Sequence, residues 1–140
     1  MNPKSYYKIS ALLTASGVLF AGYLSAVKLF SRTCPFNESC QYFLGYPACW
    51  FGLAMFLSMF VISLIGLFSA NPRKIFPQSI LAIAGAGIIF AGRFVISEII
   101  FWQAGGHQEY QLIFPTCAYG LIFYILIFFL SWRQLKKKIN

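Results

Sequence analysis

The segment Ala48-Cys-Trp-Phe-Gly-Leu-Ala-Met-Phe-Leu-Ser-Met-Phe-Val-Ile-Ser-Leu-Ile-Gly-Leu-Phe-Ser69 carries no charged side chain from end to end. A bilayer's hydrocarbon core is about 30 Å thick and a helix rises about 1.5 Å per residue, so roughly 20 apolar residues span it. This segment is long enough to cross. Ile9–Phe30 and Ser79–Trp102 are comparable, and Thr116–Trp132 sits near the lower limit of about 17 residues. The sequence therefore predicts an all-α integral membrane protein, a four-transmembrane-helix bundle. Residues 1–140 form one domain, with helices at about 9–30, 48–69, 79–102 and 116–132. Between them lie a polar segment, Ser31–Pro47, a tight connector, Ala70–Gln78, and a loop, Gln103–Pro115. Pro72 and Pro77 suit a break in the connector, because proline lacks an N–H and disfavours helix in the residue before it.

Composition agrees. Of 140 residues, 59% are hydrophobic, 19% aromatic and only 10% charged, against about 25% charged in an ordinary soluble domain. A soluble chain of about 150 residues still exposes roughly a third of its surface, which this much apolar side chain cannot supply. A soluble enzyme, a DNA-binding domain and a disordered tail are excluded. Eleven Lys+Arg stand against three Asp+Glu, and their placement orients the chain. With four crossings, Lys4, Lys8, Arg73, Lys74, Arg133, Lys136, Lys137 and Lys138 fall on one side; Lys28 and Arg32, close to Glu38, fall on the other. The positive-inside rule puts both termini in the cytoplasm and the two longer loops outside the cytoplasmic membrane. The Lys-rich tail after a membrane helix reads as an orientation and anionic-lipid signal rather than a nucleic-acid site. A first helix longer than a usual signal-peptide core argues against cleavage.

A repeat organises the chain. Gly17-Val-Leu-Phe20-Ala21-Gly22 matches Gly87-Ile-Ile-Phe90-Ala91-Gly92, and Pro47-Ala-Cys49-Trp-Phe51-Gly52-Leu53 matches Pro115-Thr-Cys117-Ala-Tyr119-Gly120-Leu121. Residues 17 and 87 are 70 apart and residues 49 and 117 are 68 apart, so a helical hairpin occurs twice in the same orientation. Parallel repeats imply a pseudo-twofold axis along the membrane normal. Gly17, Ala21 and Ser25, with Gly87 and Ala91, place small residues at every fourth position, a spacing that lets helices approach closely in lipid.

All four cysteines, Cys34, Cys40, Cys49 and Cys117, fall on the outer side of this topology, where disulfides persist. Cys34 and Cys40 share the first outer loop. Cys49 and Cys117 each follow by two residues a proline at a helix start. Unpaired N–H groups and the positive dipole end converge there, an environment that favours a thiolate. Three roles fit these cysteines: small apolar fillers, structural disulfides stapling the outer face, or redox-active pairs. The sequence leaves all three open.

Cys34-Pro-Phe-Asn-Glu-Ser-Cys40, followed by Phe43-Leu-Gly-Tyr-Pro47 and Gly52-Leu53, resembles the first outer loop and second helix of bacterial homologues of vitamin K epoxide reductase. Gly17–Phe30 and Gly87–Phe101, followed by Cys117-Ala-Tyr-Gly120, resemble that family's other helices, so the likeness covers roughly Ile9–Trp132. It implies a membrane thiol–disulfide oxidoreductase that passes electrons from external dithiols to a lipid quinone of ubiquinone or menaquinone type. The implied partner is a secreted or periplasmic thioredoxin-like protein. Cys34 would be the exchange cysteine, Cys40 the relay to the membrane pair, and Cys117 the first cysteine of the family's Cys-x-x-Cys. Two departures stand out. Gly120 occupies the second cysteine of that motif, the one that engages the quinone, and Gln41-Tyr42-Phe43 replaces the usual Ser/Thr after the second loop cysteine. Cys49 is an additional cysteine that supplies a replacement, giving Cys49–Cys117 as the membrane pair. The runner-up reading is a non-catalytic bundle braced by disulfides.

Arg93 and Glu98 lie inside the third apolar run. An Arg at the bilayer centre costs at least about 2.5 kcal/mol on insertion scales, so it is expected to face a partner or a wet cavity. The repeat sets Tyr23 against Arg93 and Lys28 against Glu98 as equivalent positions. A structural pair among Lys28, Arg93 and Glu98 is the plain expectation; the sharper one makes Arg93 and Tyr119 the quinone-binding residues. His107 reads as a loop residue. A lone His and scattered cysteines lack zinc spacing.

Overall fold

The computed structural model describes residues 2–31, 42–43, 46–103 and 116–139. Four helices make the architecture: α1 (Pro3–Ser31), α2 (Ala48–Phe68), α3 (Ile75–Gln103) and α4 (Thr116–Ile139). Ahead of α2, β1 (Tyr42–Phe43) pairs antiparallel with β2 (Tyr46–Pro47), Tyr42 opposite Pro47 and Phe43 opposite Tyr46. These two-residue strands aside, the described chain is helical. All four helices contain a stretch long and apolar enough to cross a membrane: Pro3–Ala26, Trp50–Phe68, Ile75–Ser97 and Ala118–Lys137. Their outward faces carry Leu19 at 75% and Ile89 at 77% exposure. Large apolar side chains so open suit acyl chains as solvent, since lipid exacts no penalty for them.

The helices outrun the apolar segments. α1 begins at Pro3 and takes in Lys4 and Lys8; α4 continues through Arg133 and Lys136 to Ile139. Backbone hydrogen bonding is indifferent to the side chain's polarity, so a helix continues past the hydrocarbon layer where hydropathy no longer marks it. Pro77 belongs to the first turn of α3 rather than to the connector. Its missing N–H is one of those that have no helical partner there in any case.

α1 packs chiefly on α2 and α3 on α4, with smaller α2–α3 and α1–α4 interfaces. The buried positions of α3 are Pro77, Ile80, Ala84, Gly87 and Ala91; α1 buries Tyr7, Ser10, Thr14, Gly17 and Ala21, each 70 earlier. α2 buries Phe56, Met59, Ser63 and Gly66, and α4 buries Tyr124, Ile127, Ser131 and Gln134, each 68 later. Contacts recur at the same offsets. A Cβ added to Gly17 would come closer than 3.0 Å to the Phe56 ring, and one added to Gly87 would overlap the Tyr124 ring in the same way. Across the hairpins, Phe20 and Tyr119 have ring centroids 6.2 Å apart, and Phe90 and Phe51 5.9 Å apart. On the diagonal, Phe56 and Tyr124 stack at 4.5 Å with an 11° interplanar angle.

One half of the core is polar. The Tyr6 hydroxyl lies 2.6 Å from Ser131 Oγ, tying α1 to α4, and Ser10 Oγ lies 3.0 Å from Ser63 Oγ, tying α1 to α2. Thr14 donates to the Ser10 carbonyl at 2.8 Å. Buried hydroxyls need such partners because nothing in the surrounding hydrocarbon replaces lost water.

Candidate functional site

The two helix-start cysteines are positioned by backbone alone. Cys49 is the second residue of α2, directly after the β1–β2 ladder that fixes the chain's entry, and Cys117 is the second residue of α4. Both stand at first-turn positions where backbone N–H groups lack helical acceptors. By heptad register Cys49 continues the stripe of Phe56 and Ser63, and Cys117 that of Tyr124 and Ser131. Cys34 and Cys40 lie outside the described residues, as does His107.

Just inside the cysteines the bundle is aromatic. Tyr124 donates to the Gly52 carbonyl at 3.4 Å and approaches Met55 Sδ at 3.7 Å. Gly52 is one helical turn from Cys49, so a side chain of α4 reaches the opening turns of α2. Phe123 meets Phe56 edge-on at 6.3 Å, and Phe90 meets Phe94 at 5.1 Å. Tyr119 is half-buried within this collar through its contact with Phe20. Rings so arranged offer flat, polarizable walls suited to another planar group.

Arg93 does not join the collar. It is exposed, and Ser97 Oγ donates to its carbonyl at 3.0 Å. The buried stripe of α3 passes through Gly87 and Ala91; two residues beyond Ala91 the helix has turned about 200°, at about 100° per residue. Arg93 therefore lies off the buried stripe of α3. A long cationic side chain on the lipid side can instead carry its head towards the interface. Tyr23, the equivalent position on α1, is likewise exposed, at 57%. The side chains of Lys28 and Glu98 lie outside the described set, and with them any pairing.

Two features escaped the sequence reading. Tyr124 was indistinguishable from its many aromatic neighbours, although its seven-residue spacing from Cys117 places it on the cysteine's stripe. Ser25 is 8% exposed, and its hydroxyl is the one buried side-chain polar atom among the described residues with no hydrogen-bond partner. An open apolar groove of about 550 Å³, lined by Val61, Leu64, Ile65, Phe68 and Ser69, lies at the opposite end of α2 from Cys49. Its lining offers no chemistry beyond one hydroxyl. Against protein-family models, curated proteins and solved structures, the chain matches none.

Proposed function

We propose that this protein is a membrane thiol–disulfide oxidoreductase that oxidises external dithiols and reduces a lipid quinone. Each turnover forms one disulfide from two thiols and delivers two electrons and two protons to the quinone, giving a quinol. Cys34 exchanges with a thioredoxin-like partner, Cys40 relays to the membrane pair, and Cys49 with Cys117 passes the electrons on. The duplicated hairpin, the cytoplasmic termini and the outer placement of the cysteines belong to the same proposal. The observation that carries it is the matched station of Cys49 and Cys117, each second in its helix and each one heptad ahead of a member of the Phe56–Tyr124 stack. Helix starts favour thiolates, and thiolates are the species that exchange.

Purified protein in detergent is expected to oxidise a dithiol with a ubiquinone or menaquinone analogue, and Cys117→Ala or Cys49→Ala to abolish turnover. If both variants turn over normally but melt at lower temperature, the disulfides are braces and the redox reading is wrong. Gly120 gives a second handle. A Cβ there meets nothing within 4 Å, so Gly120→Cys fits and rebuilds a Cys-x-x-Cys. In a Cys49→Ala background it is expected to restore turnover. Orientation is tested by reporter fusions at the C-terminus, after Lys74 and at Glu109; a cytoplasmic signal at Glu109 would remove the four-span orientation and the outer placement of the cysteines.

A further inference from the structure

The open groove on α2, lined by Val61, Leu64, Ile65, Phe68 and Ser69, faces away from the core. Val61, Ile65 and Phe68 are exposed, whereas the stripe packed into the bundle runs through Phe56, Met59, Ser63 and Gly66. In a bilayer every apolar outer face is covered by acyl chains, so exposure alone singles out nothing. Depth and charge do.

The lining starts at Ser69, one residue past the end of α2, and runs back to Val61. At about 1.5 Å per residue that is roughly 12 Å, close to the about 15 Å of one leaflet's hydrocarbon. The groove therefore opens at the level where headgroups lie. Its open end is cationic. The Ser69 N–H still donates to the Ile65 carbonyl, and α3 restarts at Ile75, with the Phe76 N–H on the Arg73 carbonyl. This short connector between two packed helices holds Arg73 and Lys74 at the end of the groove, and both are exposed. No Asp or Glu lies between Glu38 and Glu98, so no carboxylate of α2 or the connector offsets them. The second hairpin is built otherwise. The positions 68 later are Phe129, Trp132, Arg133, Lys136 and Lys137, and the Arg133 guanidinium lies 5.8 Å from the centre of the Phe129 ring. There the cations stand on the apolar face itself rather than beyond it.

We propose that this end of α2 is a seat for one anionic phospholipid, its acyl chain in the groove of residues 61–69 and its phosphate on Arg73 and Lys74. A headgroup of net negative charge gains from both cations, whereas a zwitterionic one brings its own cation and gains less. A second copy of the chain is the poorer occupant. Two copies meeting side by side through this face would set one Arg73–Lys74 pair against the other, and like charges oppose such contact. The seat uses no cysteine, so it stands or falls apart from the redox reading.

The test places the full-length protein in phosphatidylcholine vesicles holding a trace of phosphatidylglycerol with a diazirine in its acyl chain. Illumination is followed by mass-spectrometric mapping of the adducts. Adducts are expected on residues 61–69. Phosphatidylcholine carrying the same diazirine is expected to label them about tenfold less, between the share of one surface cation and that of two. Arg73→Gln with Lys74→Gln is expected to bring the two lipids level, while Arg133→Gln with Lys136→Gln, an equal loss of charge, leaves the preference intact. Val61→Phe with Ile65→Phe fills the groove and is expected to lower phosphatidylglycerol labelling to the phosphatidylcholine level. All these side chains are exposed, so the variants leave the core as it is. Equal labelling by the two lipids overturns the proposal, as does a preference that survives the Arg73–Lys74 change, survives the filled groove or disappears with the Arg133–Lys136 change. Labelling by neither lipid means that a second copy covers the face, and overturns it too.

Discussion

The first hairpin, α1 with α2, and the second, α3 with α4, bury corresponding positions and fill them differently. Where α1 has Ser10 and Thr14, α3 has Ile80 and Ala84; where α1 has Tyr6, α3 has Phe76. The steric frame is common to both: a glycine on the first helix seated against a ring on the second, Gly17 on Phe56 and Gly87 on Tyr124. The polar frame belongs to α1, whose hydroxyls reach both neighbours. Magnitudes rank the damage expected when each frame is disturbed. Interhelical hydrogen bonds in lipid average about 0.6 kcal/mol and reach about 1.7, whereas forcing extra atoms into a packed core costs about 1–3 kcal/mol each time. Shape is common to the two hairpins, and hydrogen bonding is a local addition.

The sharpest way to break that comparison is to remove the shared element. Gly17→Ala and Gly87→Ala are both expected to destabilise the protein by about 1–3 kcal/mol, read as the shift in an SDS-titration midpoint in mixed micelles. The stacked rings leave no room to yield, so the two losses should be similar. A neutral Gly87→Ala would mean that only the first hairpin is tightly seated. Next in size is the polar frame. Tyr6→Phe, which takes away the partner of Ser131 on α4, is expected to cost about 0.6 kcal/mol and no more than about 1.7, read in the same titration. The smallest effect is expected at Gly22 and Gly92, equivalent positions where an added Cβ finds Leu53 at 3.9 Å and nothing within 4 Å, respectively. Alanine there removes backbone freedom at no steric cost, for a gain of roughly 0.5 kcal/mol. A loss at either site would point to packing that the described helices do not account for.

The sequence shows the spans because lipid imposes a length on any helix that crosses it. It shows the close contacts at Gly17, Ala21, Gly87 and Ala91 because small residues every fourth position leave a readable stripe. It does not show where the helices end, since Lys4 and Lys136 are as helical as the apolar residues beside them. Nor does it show which face of α2 is buried: when both lipid and core are apolar, hydropathy cannot tell Phe56 from Phe60. The Tyr6–Ser131 bond joins the two ends of the chain and leaves no local trace. Depth along α3 does not give the angle around it: Gly87 and Ala91 mark the buried stripe, and Arg93 falls on the exposed side. For the candidate site, the station of Cys49 and Cys117 was legible from Pro-x-Cys.

The Phe56–Tyr124 stack also has a consequence for supply. Both rings are almost wholly buried, at 3% and 2% exposure, and they bridge the diagonal of the bundle below the helix-start cysteines. Among the described helices they close the bundle's axis at that level. Water or protons arriving along the axis from the Lys-rich end meet two stacked aromatic faces before they reach the level of the helix starts. Under the proposed redox reading, reagents for the helix-start cysteines come from the end where α2 and α4 begin, or sideways out of the lipid.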